Sequence, residues 1–269
     1  MTPRLDRREF VSVSAGAAGV LGVAASTAGQ SPQPSDAGSP GTVLGIGAHY
    51  DDCAFGIPGI LLEAVEKGHR VVVLTVIGDY DNWKPVRGRG HDLVEGTRRI
   101  AADLGIESRF LGYASGRLTV TEETKRAVAE AVADVGPDVV FMLWPRDRHP
   151  DHEAVSALST AAVRLGDRLL KDPFAPWHPP RRLYLYDNGP RHTLGFEPDT
   201  FVDVTRHWPR AIAWLGRLMA LTRNEEFDPE TLDGAQRLKE ALARYRGSTC
   251  GVDYAEALVT AGARTQDVV

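Results

Sequence analysis

Short continuous apolar runs alternate along this chain with stretches in which apolar positions recur every three or four residues. The runs "TVLGIGA" from Thr42, "RVVVLTVIG" from Arg70, "RFLGY" from Arg109 and "PDVVFMLWP" from Pro137 read as strands, several of them buried on both faces. Between them, helical periodicity covers about Ala54 to Lys67, closed by Gly68, then about Leu93 to Leu104, closed by Gly105, and about Glu122 to Val135. A further helix starts at Pro150, followed by strands at "RRLYLYD" (181–187) and "FVDVT" (201–205). Two helices are expected at about 207–222 and 234–245, and a last short one near 254–261. Strands alternating with helices predict an α/β, Rossmann-like, three-layer α/β/α fold with a mainly parallel central sheet.

Ligands of such sheets bind beyond the carboxyl ends of the strands. Three loops rich in polar residues fall there: "GAHYDDC" after the first strand, "VIGDYD" at the end of the second and "WPRDRHPDH" after the fourth. All three therefore converge on one rim.

The N-terminus breaks the pattern. Arg7-Arg8-x-Phe10-Val11 precedes a weakly hydrophobic stretch of Ala, Val, Gly and Ser, with small residues near Ala25 to Ala28, so residues 1–29 read as a twin-arginine export signal. The competing reading, a membrane anchor, needs roughly 20 apolar residues, and this run is shorter. Residues 30–41, "QSPQPSDAGSPG", form a flexible linker, which leaves 42–269 as one folded domain. No later segment approaches a membrane span. The expected location is periplasmic or extracellular, with the twin-arginine export machinery as a partner. With a net charge of -5 and its Arg residues scattered rather than banded, the chain carries no footprint for nucleic acid. The two cysteines, Cys53 and Cys250, could pair in an oxidising compartment if their Cα atoms come close.

The rim loops carry the chemistry. His49, Asp51 and Asp52 crowd one strand end, where like charges repel unless a positive group holds them. In "RHPDHEAV", Pro150 suits the first helical position, which makes His149 the N-cap and puts His152 in the first turn on the same side. Imidazoles with carboxylates, and one position left for water, make the donor set of a catalytic zinc site, with other divalent transition metals possible. Each motif alone has a bland alternative: two His on a surface helix by chance, or an Asp pair accepting first-turn N–H groups as a helix cap. Their arrival on the same rim is what favours a metal.

"AHYDD" and "HPDH" resemble the paired (A/P)HxDD and HPDH motifs of the PIG-L or LmbE-like family of zinc-dependent N-acetylglucosaminyl deacetylases. "LTVIGD" is similar to that family's TxGE-like turn, "EGTRRIAADLGI" to its ExxxAAxxLG helix and "YRGSTCGVDYAEAL" to its C-terminal RGxxxGxxYAEAF segment. The resemblance implies His49, Asp52 and His152 as metal ligands, Asp51 as general base and His149 as the residue that assists the leaving group or polarises the carbonyl. It implies removal of acetyl from an N-acetylated sugar or glycoconjugate by water activated at zinc. Several positions depart from the family: Tyr50 stands where Pro is usual, Cys53 where Glu is usual, Asp147 and Arg148 where some relatives place an aromatic, and the Arg expected before the ExxxAA helix is absent, with Asp92 three residues before Glu95. Trp83, Arg87, Arg89 and Arg146 lie on rim loops as candidate substrate contacts, while His69, His178, His192 and His207 have no motif around them and read as structural. Two rival functions share the same motifs: an amidase of a larger N-acylated conjugate and a non-catalytic glycan-binding descendant. A dinucleotide-binding reading fails because Tyr50 occupies the third glycine position of GxGxxG.

Overall fold

The structure, a computed structural model, describes residues 41–170 and 177–262. The expected export signal, and all of the linker but Gly41, lie outside the described residues.

Strand β1 (Thr42–Gly47) runs parallel to β2 (Arg70–Asp79), in register from Thr42 opposite Arg70 to Gly47 opposite Thr75. On its other side β1 pairs parallel with β4 (Val139–Leu143). Strand β3 (Ile106–Ala114) lies beyond β2, and β5 (Arg182–Tyr186) beyond β4. Strands β6 (Thr200–Asp203) and β7 (Ala255–Thr260) complete the order β3-β2-β1-β4-β5-β7-β6 among the described residues. The order reverses between β1 and β4. Right-handed crossovers then put helices on opposite faces for the two halves of the sheet.

Helices α1 (Asp52–Gly56), α2 (Pro58–Glu66) and α3 (Gly90–Ala102) follow β1 and β2. Helices α4 (Glu122–Val135) and α5 (Pro150–Leu170) follow β3 and β4 and pack against each other. Helix α6 (Trp208–Arg223) packs on α2 and α3, and α7 (Gly234–Cys250) packs on α6 and β7. The one helix expected at 54–67 is two, because Pro58 lacks an N–H and disfavours helical backbone at Ile57, whose φ/ψ is -137°/33°. Gly68 and Gly105 end their helices at φ near +80°, as expected.

One element is corrected. Residues 254–261 were expected as a short helix, yet Ala255–Thr260 is a strand, antiparallel to both β5 and β6. Pairing on two sides outweighs a weak local propensity. It also delivers the fully buried Glu256 to the start of α2, where its carboxylate accepts the N–H groups of Gly59 (3.1 Å) and Ile60 (2.9 Å). Buried Lys239 of α7 answers that charge at 2.9 Å and also donates to the carbonyl of Gly56. The C-terminal motif is thus a structural lock between α7, β7 and α2.

Removing one partner of a buried pair leaves the other uncompensated. Lys239→Met should therefore lower stability by about 3–5 kcal/mol, read as a fall in the urea midpoint with unchanged slope.

Candidate metal centre and active site

The site lies where the sheet order reverses, between the carboxyl ends of β1 and β4. Its geometry begins with Gly47, where a Cβ would sit 2.9 Å from the Cβ of Asp52; the absence of a side chain lets Asp52 turn inward. Although Asp52 opens α1, its carboxylate bends back to accept the N–H groups of Ala48 (2.6 Å) and His49 (2.8 Å). Asn188, on the loop after β5, donates to its other oxygen at 2.8 Å. Asp51 occupies the N-cap position of α1 but makes no capping hydrogen bond. Its carboxylate lines the cavity instead.

His149 caps α5 through its ring: Nδ1 accepts the N–H of Asp151 at 3.2 Å. That bond leaves the proton of neutral His149 on Nε2. The rings of His149 and His152 stack with centroids 4.8 Å apart, so the spacing of three does place them on one side. His152 Nε2 lies 3.2 Å from Nδ1 of His49 and 3.3 Å from Oδ1 of Asp52.

Each of these two imidazoles has a carboxylate at its other nitrogen. Asp151 Oδ2 is 3.2 Å from His49 Nε2 and is itself held by the N–H of Gly116, while Asp147 Oδ1 is 3.1 Å from His152 Nδ1. Asp147 in turn accepts the N–H of His149 and the hydroxyl of Thr193. Carboxylates placed behind imidazoles set the tautomer and aim the free nitrogen at a common point, as in metal sites.

The electrostatics agree. Burial alone would raise the carboxyl of Asp52, but His152 and His49 hold it well below the usual carboxylate range. Burial and the charge of Asp52 push Asp51 up to about 6. Burial works against a charged His152, yet Asp52 and Asp147 outweigh it and raise that imidazole to about 10. Burial and the two neighbouring imidazoles hold His149 below its ordinary value. Asp51, Asp52, Asp147 and Asp151 form no ion pair with any Lys or Arg among the described residues. The donor set fits a divalent transition metal held by His49 and His152, with Asp52 as a further donor.

All five residues expected at the site, His49, Asp51, Asp52, His149 and His152, line one cavity of about 640 Å³. Trp83 lines it too, packed with Tyr50 and Tyr80. Arg89 does not: its guanidinium bonds the carbonyls of Pro85, Leu221 and Thr222. Arg87 and Arg146 are also outside the lining. His192, expected as structural, lines the cavity beside His152, at 5.4 Å between ring centroids. Asn188, Asp147 and Asp151 carry roles that no motif reading assigned; only the position of Asp151 inside HPDH signalled one of them. Cys53 is turned into the core, with Sγ 3.4 Å from the hydroxyl of Tyr186, and both cysteines are free thiols. Tyr50, in the usual Pro position, builds the aromatic wall and bonds Thr222 of α6.

Residues 44–163 match the family model PIG-L: GlcNAc-PI de-N-acetylase. Diacetylchitobiose deacetylase of Thermococcus kodakarensis is 30% identical over 129 residues, which cover 45% of this chain and 48% of that protein. The match thus spans about half the length of that curated relative. N,N'-diacetylchitobiose deacetylase from Pyrococcus horikoshii superposes with a TM-score of 0.65 at 20% identity, covering 82% of this chain and 83% of that one. GalB, the 4-carboxy-2-hydroxymuconate hydratase of Pseudomonas putida KT2440, superposes with a TM-score of 0.69 at 17% identity, over 85% of this chain and 99% of its own. These two likenesses are of fold, and the fold by itself does not choose between a deacetylase and a hydratase.

Asp147→Asn should weaken binding of a divalent metal roughly 10- to 100-fold, read by titrating the protein with the metal, because the imidazole behind which it stands loses its anchor.

Proposed function

We propose that this chain is an exported, zinc-dependent hydrolase that removes the acetyl group from an N-acetylglucosamine-type sugar or glycoconjugate. The observation that carries the reading is the pair of adjacent carboxylates with divided environments. Asp52 is fully engaged by three hydrogen bonds beside His152, whereas Asp51 is raised towards neutral pH and faces the cavity with no capping bond. Two titratable groups pushed apart in this way suit two roles, one holding a cation and one moving a proton. The PIG-L family match and the deacetylase relative support the same reaction class.

Zinc bound to His49, Asp52 and His152 would supply Lewis acidity towards the acetamide carbonyl and the attacking water. Asp51 takes a proton from that water as its oxygen attacks the carbonyl carbon. His149, neutral and protonated on Nε2, donates a hydrogen bond to the carbonyl oxygen as negative charge develops there. Asp51 then delivers the proton it took from water to the nitrogen as the carbon–nitrogen bond breaks. Acetate and a free amino sugar leave. Asp147 and Asp151 act as positioning residues, each behind one imidazole.

Export rests on the Arg7-Arg8 motif and its small-residue tail, with a periplasmic or extracellular destination and the twin-arginine machinery as partner. No helix among the described residues is long and apolar enough to cross a membrane.

A placed base contributes about 10²- to 10⁴-fold. Asp51→Asn should therefore keep its zinc and lose about that factor in kcat for release of amine from N-acetylglucosamine compounds; turnover equal to the parent's would remove Asp51 from the mechanism.

A further inference from the structure

We infer that Arg246 and Asp187 are positioning residues for the metal centre, because their buried ion pair sets the turn through which Asn188 and Thr193 hold the metal ligands. This rests on the reading of Asp52 and His152 as ligands. It adds two residues, distant in sequence from one another, on which the affinity of that site depends.

Arg246 lies near the end of α7, in the segment "YRGSTCGVDYAEAL". Its guanidinium donates to Oδ1 of Asp187 at 2.6 Å, and both side chains are buried. A buried ion pair is weak evidence for stability, since apolar side chains of like volume often serve as well. What the charges add here is direction. Oδ2 of Asp187 accepts the N–H of Gly189 at 3.0 Å, a turn closed by the Asp side chain two residues earlier, so the carboxylate is engaged at both oxygens. The guanidinium also lies over the ring of Phe196, 5.6 Å from its centroid, and so grips the same loop at its far end.

Two chains of contact leave this turn. Asn188 donates from its side chain to Oδ1 of Asp52 at 2.8 Å, and its backbone N–H donates to the hydroxyl of Thr193 at 2.9 Å. The Thr193 hydroxyl donates to Oδ2 of Asp147 at 3.2 Å, and the other oxygen of Asp147 lies 3.1 Å from Nδ1 of His152. One turn thus supplies an outer partner to Asp52 and, through Asp147, to His152. Without Arg246 the Asp187 carboxylate would be left buried and unpaired, and its release towards water would free Gly189 and with it Asn188.

The test is zinc affinity, read by titrating the folded protein with zinc against a chelating indicator. Arg246→Gln removes the charge, while Asp187→Asn offers one acceptor oxygen where two are used. The pair is thus broken from either end, and a variant that fails to fold leaves the other to be measured. Asn188→Ala should weaken zinc binding about 10- to 100-fold and each pair variant about tenfold, with Arg246→Lys, which keeps the charge, nearer the parent. Asn188→Ala combined with Arg246→Gln should bind like the weaker single variant to within about twofold, because both changes cut the same chain of contacts. Losses that multiply would overturn the inference, since a purely structural Arg246 acts independently of Asn188. Parent affinity in Asn188→Ala or in a folded pair variant would overturn it too. Amine release does not enter this test, so its absence would sink the hydrolase reading alone. A parent that binds no zinc would sink the ligand reading, and the NMR signals of the Asn188 side-chain amide, assigned by their loss in Asn188→Ala, then decide. Movement of those signals to the positions of a free amide in Arg246→Gln supports the inference, and unmoved signals overturn it.

Discussion

Four carboxylates meet the imidazoles of His49, His149 and His152 at the point where the sheet order reverses, and none of the four is ion-paired to a Lys or Arg among the described residues. Buried negative charge of this density is tolerated only when a cation or a set of protons balances it. Much of the local architecture serves to hold that charge in place. Gly47 lets Asp52 fold back onto the end of β1, Asn188 ties the same carboxylate to the loop after β5, and the ring of His149 caps α5 so that His152 faces His49. The carboxylates of Asp147 and Asp151 stand behind the two imidazoles rather than beside the same point, which spreads the repulsion while sharpening the aim.

A second set of buried charges braces the first. Arg246 of α7 holds Asp187 at 2.6 Å, and Asp187 in turn accepts the N–H of Gly189, so the turn that carries Asn188 is pinned from the C-terminal half. Lys239 and Glu256 pin the start of α2 from the same side. Helix α7 therefore anchors both the turn that carries Asn188 and the start of α2. Residues distant in sequence from the metal motifs decide how rigidly those motifs are presented.

Most of the fold was legible because buried parallel strands read as unbroken apolar runs and the helices between them end at Gly in left-handed conformation. The strand at Ala255–Thr260 was not, since its identity comes from partners on both sides rather than from its own residues. The cluster of His49, Asp51, Asp52, His149 and His152 was legible because both motifs fall on loops that the topology brings to one rim. His192 and Asn188 were not: each reaches the site from the loop after β5, and no local spacing marks that loop as facing β1. Arg89 illustrates the opposite error, a rim arginine whose donors are consumed by carbonyls of α6.

The central claim is that this buried negative cluster is a cation-dependent hydrolytic centre. Acetate released from N,N'-diacetylchitobiose, followed as metal-depleted protein is titrated with zinc, tests it most directly. The account predicts release that is negligible without metal and rises in step with the first equivalent bound. Release at the same rate in metal-depleted protein, or none at any loading, would contradict it.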